Sequence, residues 1–208
     1  MTYDSWKTTD PAMEQAGRGE SMDVLVACET SGAVRTAFRE RGHDAWSCDL
    51  LPSDDGSDYH IQGDALEVIA RRPWGIVIAH PPCTHLAVSG ARWFKDKIPE
   101  QKAALAFVRD TMDAMDTHSQ AWALENPVSI ISTRIRTASQ YIQPWQFGHG
   151  ETTKTGLWLH NLPLLTPTHI VEGREQKIWK MGPSEDRWKE RSKTYTGIAR
   201  AMAHQWGG

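Results

Sequence analysis

Short apolar runs alternate with segments of helical period along most of the chain. The pattern predicts strands at 23–28, 44–48, 74–79, 121–124 and 157–159, and helices at 33–41, 65–71, 99–115 and 197–206. The run at 74–79 is continuous and rich in β-branched residues, which is typical of a strand buried on both faces. Strands that alternate with helices predict a Rossmann-like α/β fold, with a doubly wound, mainly parallel sheet in a single domain.

Two segments differ in composition from this patterned region. Residues 1–21 are polar and show neither period, so we expect a disordered arm or extension ahead of a domain at 22–208. Residues 172–193 carry seven basic and five acidic side chains, interleaved with two tryptophans. Such a segment suits contacts to phosphates and stacking on bases, but it is equally typical of a solvated mixed-charge surface with its tryptophans packed inward.

Composition disfavours several classes of protein. The 208 residues include no apolar run of the roughly 20 residues that a membrane-spanning helix needs, and the first residues lack the features of a secretory signal. Three widely spaced cysteines without a CxxC pair fit neither a disulfide framework nor a zinc ribbon. We therefore expect an intracellular protein. A net charge of −3 argues against broad affinity for nucleic acid, although a local basic patch is compatible with it.

Polar residues follow each of the first five strands or strand-like elements. In order along the chain they are Cys28, Glu29, Thr30, Ser31 and Gly32, then Asp49, then Asp64, then His80 to Cys83, and then Glu125 and Asn126. In an open α/β sheet, ligands collect at the carboxyl ends of the strands. Five such segments in order predict one site along this edge.

Cys83 is the candidate nucleophile. The two prolines before it remove two backbone donors and force an extended path, which projects the next side chain from the edge of the sheet. A thiolate there is reactive if a helix N-terminus or a positive group lowers the pKa of the thiol. An inert core cysteine is the alternative. A metal cluster with His80 and His85 is disfavoured by its tight spacing, and we predict no metal.

The three acids and the first turn each have two interpretations. Asp49 accepts the ribose hydroxyls of an adenosine-containing cofactor or caps its own loop, and Asp64 accepts from an adenine amino group or serves as an N-cap. Glu125 ends an apolar strand, where desolvation raises the pKa of a carboxyl toward a value useful for proton exchange. Its alternative role is to bind backbone amides of the next turn. Residues 28–32 form either a turn that binds a cofactor or a turn that only packs the strand against the following helix.

The ordered series resembles the cytosine-5 DNA methyltransferases. That family has a cofactor turn, an acid, an Asp, a Pro-Cys loop and a Glu-Asn pair after its first five strands, and a closing helix to which 196–203 is similar. The resemblance runs from about residue 22 to the C-terminus. Segments 143–150 and 157–163 also resemble short methylase-like proteins often carried by bacteriophages.

The resemblance implies S-adenosylmethionine as cofactor, cytosine in DNA as substrate, and the cytoplasm of a bacterial or phage-infected cell. Cys83 would add to C6 of cytosine, Glu125 would hold or protonate N3, and Pro82 and Asn126 would complete the catalytic set. The implied cofactor residues are Cys28, Glu29, Thr30, Ser31, Gly32, Asp49, Leu50, Asp64, Pro81 and Gly197. The candidate substrate residues are Ser89 and, within the mixed-charge segment 172–193, Arg174, Lys177, Arg187 and Arg191.

Three features depart from that family. The first turn lacks its Phe-x-Gly-x-Gly pattern, Thr84 and Pro127 stand where Gln and Val are usual, and the chain has no room for a target-recognition domain. Extruding a base from a duplex costs a few kcal/mol and ordinarily takes a dedicated basic surface. Two alternatives therefore stay open: the same chemistry on a single strand or free nucleotide, and a non-catalytic binding protein that acts on a host defence system.

Overall fold

The computed structural model describes residues 20–174 and 193–208. The strands are β1 (Asp23–Ala27), β2 (Asp44–Asp49), β3 (His60–Gln62), β4 (Trp74–Ala79), β5 (Ser119–Pro127), β6 (Gln140–Ile142) and β7 (Thr155–His160). The helices are α1 (Ala33–Glu40), α2 (Ala65–Ala70), α3 (Ile98–His118), α4 (Ile131–Arg134) and α5 (Thr196–Trp206), with 3-10 turns at Val88–Asp96 and Pro144–Gln146. No helix in the described ranges is long and apolar enough to cross a membrane.

All seven strands form one sheet in the order β3-β2-β1-β4-β5-β7-β6. The first five strands run parallel, and β7 is antiparallel to both β5 and β6. The Rossmann-like, mainly parallel sheet predicted from the sequence is therefore confirmed. The strand order reverses between β1 and β4, so the loops after these two strands leave the sheet in opposite directions and border the crevice where such folds bind ligands.

Each face of the sheet has its own core. On one face, alternate side chains of the strands, including Val24 and Ile78, pack against α1 and α5 through residues such as Phe38 and Met202. On the other face the intervening side chains pack against α2 and α3. This alternation follows from the period of two along a strand. Helices on both faces explain why the central strands are apolar at every position.

Element boundaries differ from the sequence prediction where hydrogen bonding, not hydrophobicity, sets them. The predicted strand at 121–124 extends over Ser119–Pro127, because β7 pairs with its polar end at Glu125, Asn126 and Pro127. The helix predicted at 99–115 extends over Ile98–His118. The short strand β6 was not predicted. The predicted arm at 1–21 lies outside the described residues except for its last two positions.

The closing helix α5 lies parallel to α1. Both contribute to the same core, and Arg41, directly after α1, donates from Nη2 to the main-chain oxygen of Gly208, two residues after α5, at 3.0 Å. At its other end α5 begins beside the carboxyl ends of the strands, because Gly197 bonds to His149 in the loop that leads to β7, and the start of β7 pairs with the end of β5. The side-chain amide of Gln205 pairs twice with the backbone of Thr166, at 2.7 and 2.8 Å, and fixes the helix further.

Gly197, at the start of α5, has no room for a side chain. A Cβ there would lie 1.7 Å from the carbonyl oxygen of Phe147. We predict that Gly197→Ala lowers the free energy of unfolding by about 3 kcal/mol, at the upper end of what overpacking costs, as measured by urea denaturation. Gly90→Ala is the matched control, because its Cβ would meet nothing within 4 Å. Equal stability of the two variants would contradict the placement of α5.

Candidate active site

The loop that carries Cys83 is held against the segment that follows β5. Asn126 donates from Nδ2 to the buried carbonyl of Pro81 at 2.9 Å. Further along, the amide of Ile130 donates to Leu86, and the amide of Val88 to Val128, both at 3.0 Å. Cys83 lies between these contacts, so its loop is fixed at both ends. The structure therefore brings together the two segments that the sequence analysis predicted to share a site.

Cys83 itself begins a turn and is partly buried. Its carbonyl oxygen accepts from the amides of Leu86 at 3.0 Å and Ala87 at 2.9 Å. Pro81 before it is buried, whereas Pro82 is exposed. A backbone pinned by a turn and by two prolines leaves the Cys83 side chain few orientations. This is the rigidity that a positioned nucleophile requires.

Glu125 is paired with a histidine from the neighbouring strand end. His80 Nδ1 lies 3.1 Å from Glu125 Oε2, and the His80 side chain is only 8% exposed. Burial by itself disfavours the charged imidazole, but the hydrogen bond to Glu125 and the charges of Glu125 and Glu29 outweigh it and raise the pKa of His80. The contact with Glu125 therefore favours the protonated form of the His80 ring.

Buried polar atoms without partners concentrate at these two strand ends. Among the described residues, three of the four such side-chain atoms are His80 Nε2, Asn126 Oδ1 and Ser129 Oγ, and the fourth belongs to His43. Buried polar groups of folded proteins normally have hydrogen-bond partners, so each exception calls for a physical reason. Donor and acceptor atoms grouped beside a nucleophile are expected where a polar ligand binds.

The turn after β1 is tight and internally bonded. Cys28 has a φ of 60°, a conformation that side chains other than glycine seldom adopt and that is common at functional sites. The buried Glu29 carboxylate accepts from the backbone amides of Val34 at 2.8 Å and Arg35 at 3.3 Å, and so caps α1. Glu29 thus contributes to the site by shaping the turn and by its charge.

Three strand ends converge around Cys28. Burial raises the pKa of its thiol, and the neighbouring Cys48 and the carboxylates of Asp49 and Asp64 raise it further. Asp49 Oδ1 accepts from the amide of Leu51 at 2.9 Å, so the carboxylate caps its own loop. Asp64 Oδ1 accepts from Leu66 at 2.8 Å as the N-cap of α2. Both acids thus have the capping roles given as alternatives, and each has a second carboxylate oxygen.

The loop after β2 folds over the same turn. The amide of Asp54 donates to the carbonyl of Thr30 at 2.9 Å, and Thr30 Oγ1 donates to the Asp54 carboxylate at 3.0 Å. Asp55 forms an ion pair with the buried Arg35 of α1. Leu50 is 70% exposed beside these contacts. An apolar side chain so exposed next to a polar turn is suited to cover a flat ring.

The start of α5 completes this edge. The backbone amide of Gly197 donates to His149 Nε2 at 3.0 Å, and burial lowers the pKa of His149, which keeps the ring neutral and able to accept. Segment 143–150, singled out in the sequence, therefore positions the closing helix. Part of segment 157–163 does the same, because Trp206 donates from Nε1 to the carbonyl of Pro163 at 3.0 Å.

The predicted substrate residues are only partly described. Ser89 is exposed in the 3-10 turn that follows the Cys83 loop. Arg174 is exposed, and its guanidinium carbon lies 3.8 Å from the centre of the Trp145 ring. Lys177, Arg187 and Arg191 lie outside the described residues. Within the described part of the chain, no group of three or more His, Cys, Asp or Glu side chains is placed to hold a metal ion.

Comparison with known proteins gives a distant structural likeness. No family model and no curated protein matches the chain. Among solved structures it is similar to an rRNA methylase from Escherichia coli, with 10% sequence identity and a TM-score of 0.39. The match covers 72% of this chain and 61% of that protein, so this chain spans about three fifths of the length of the rRNA methylase.

Two functional contacts were missed by sequence reasoning. His80 was predicted to lie at the site edge and was weighed as a metal ligand, but its pairing with Glu125 was not predicted; its place directly after a buried strand was the available signal. His149 was seen only as part of a segment, and its bond to Gly197 spans 48 residues. Contacts at that separation leave no periodic signal in the sequence.

The Asn126 amide should contribute measurably to stability. Asn126→Ala leaves the buried carbonyl of Pro81 without its donor, which costs about 1–3 kcal/mol, and we predict a loss of this size in urea unfolding. The control is Gln62→Ala, which removes an amide-to-carbonyl bond of 3.0 Å at an exposed position. It should change stability by less than about 0.5 kcal/mol. A smaller loss for Asn126→Ala than for the control would show that the two strand ends are not joined in this way.

Proposed function

We propose that this protein is an S-adenosylmethionine-dependent methyltransferase that modifies C5 of cytosine in DNA through a covalent bond to Cys83. The observation that carries the proposal is the joining of the Cys83 loop to Glu125 and Asn126 at adjacent strand ends. A nucleophile and a proton donor within one rigid unit suit addition to a pyrimidine ring, because protonation at N3 takes up the charge that attack at C6 places on the ring.

The residues at the neighbouring strand ends fit the proposed cofactor. Asp49 and Asp64 approach the same turn and retain carboxylate oxygens that can accept from ribose hydroxyls and an adenine amino group. The exposed Leu50 can cover the adenine ring. The turn at Cys28 and the start of α5 at Gly197 border the same edge. When bound, this cofactor supplies an electrophilic methyl group.

The chemistry of the protein's own residues follows from their positions. The Cys83 thiolate forms a bond to C6 of cytosine, and the electron pair displaced from the ring is taken up as Glu125 delivers a proton to N3. The ring carbon C5 thereby becomes nucleophilic, and the bound cofactor would supply the methyl group to it and be left as a neutral thioether. Loss of the C5 proton to a base then restores the ring double bond and expels Cys83. Asn126 holds the loop through Pro81 during these steps.

Cys83→Ala should abolish methyl transfer, because it removes the thiol that forms the covalent bond to C6. The measurement is 5-methylcytosine among nucleosides from cells that express each protein, analysed by mass spectrometry. We expect the modified base with wild-type protein and at least a hundredfold less with the variant. Cys48→Ala is the control, since that thiol is buried, and burial raises its pKa to about 12.

Substrate form is tested with the purified protein and labelled cofactor on duplex DNA, single-stranded DNA and dCMP. Label in DNA supports the proposal. Label in dCMP alone would mean that the substrate is a free nucleotide and not DNA. No label from wild type in any arm, together with no 5-methylcytosine in cells, would contradict the proposed activity.

Asp49→Ala should weaken binding of S-adenosylmethionine about tenfold or more, because two hydrogen bonds to a charged acceptor are lost. Isothermal titration calorimetry of the folded variant measures this directly. Asp113→Ala removes an exposed carboxylate on α3, far from the strand ends, and is the matched control with unchanged affinity. Equal affinities for wild type and Asp49→Ala would remove Asp49 from the cofactor site.

A further inference from the structure

His80 holds a place in the site that neither the covalent step nor cofactor binding uses. Its Nδ1 is bonded to Glu125 Oε2 at 3.1 Å, and its backbone amide donates to the carbonyl of Ala27 at 2.9 Å. The backbone of His80 is therefore held from the β1 side, and its ring from the β5 side. Its Nε2 is buried and has no hydrogen-bond partner among the described residues.

We propose that His80 is a positioning residue for Glu125 that also supplies the proton which Glu125 delivers to the pyrimidine ring. This inference rests on the proposed function. A carboxylate that protonates a base must first carry a proton, and Glu125 is only 21% exposed, so access from solvent is restricted. An imidazolium in direct hydrogen-bond contact provides that proton within the protein.

The proton transfer balances without any added reactant. The N–H bond at His80 Nδ1 breaks as an O–H bond forms on Glu125, which gives a neutral imidazole and a carboxylic acid. The carboxylic acid then gives a proton to N3 of the base and becomes a carboxylate again. When the product ring is restored, the N3 proton returns by the same two steps. The proton lost from C5 leaves separately.

The charges around His80 favour its protonated form. Glu125 faces it from the end of β5, and the charge of Glu29 acts on it from the turn after β1. The Cys28 thiol in that same turn adds no charge, because burial keeps it protonated. On its own loop, the other titratable residues are Cys83 and His85. The raised pKa extends the range in which His80 keeps its proton to higher pH, and the proton is lost as pH rises through the raised value.

The test compares His80→Asn and His80→Ala with wild type in methyl transfer against pH. Asparagine places an N–H close to where Nδ1 lies, so it retains the hydrogen bond to Glu125 but cannot titrate. We expect wild-type kcat to fall at alkaline pH as His80 loses its proton. In His80→Asn this alkaline fall should be absent. At pH values below the fall, kcat of the variant should be about tenfold or more lower than that of wild type, with KM little changed. In His80→Ala, Glu125 should in addition lose its orientation, because alanine offers no hydrogen bond to it.

A second measurement needs no substrate. The His80 ring signal, assigned by its absence from His80→Asn, should titrate by NMR above the ordinary value of 6.5 in wild type and lower in Glu125→Gln. Methyl transfer by wild type with the same pH profile in His80→Asn would overturn the inference and leave the proposed function standing. A titration in wild type that Glu125→Gln does not lower would also overturn it. Absence of methyl transfer by the wild type would overturn both.

Discussion

The contact between the ends of β4 and β5 is the constraint on which the candidate site depends. These two parallel strands lie side by side, so the loops that leave them begin only one strand spacing apart. Two side-chain bonds, His80 to Glu125 and Asn126 to Pro81, join the loops within four residues of Cys83. Each bond is buried or partly buried, where a lost partner costs more than at the surface. The loop that carries Cys83 is therefore held by Asn126 and by the His80–Glu125 pair, to which our proposal assigns the handling of the proton.

Much of the fold could be predicted from the sequence because the central strands and their flanking helices have clear periods. The run Trp74–Ala79 is apolar throughout since helices cover both faces of the sheet, and strand-helix alternation gave the parallel arrangement. The strand β6 and the polar end of β5 escaped prediction because antiparallel pairing with β7, between residues distant in sequence, fixes them. Hydrophobic period carries no information about such pairing.

The candidate site was predictable to a similar extent. The order of polar residues at strand ends follows directly from the sequence, and the structure places those segments along one edge of the sheet. How each side chain is bonded was not predictable. Glu29 caps α1, and Asp64 caps α2, because backbone amides at helix starts need acceptors. His80 required the structure, since its partner Glu125 is 45 residues away.

The central claim, covalent attack by Cys83 on C6 of cytosine, has one direct test. Fluorine in place of the C5 hydrogen cannot leave as a cation, so a ring that has taken the methyl group stays bonded to the nucleophile. Purified protein is incubated with S-adenosylmethionine and DNA that contains 5-fluorocytosine, and the products are analysed by intact-mass spectrometry and peptide mapping. The account predicts a protein–DNA adduct at Cys83 that requires the cofactor and is absent from Cys83→Ala. Methyl transfer by Cys83→Ala, or an adduct at another residue, would contradict it.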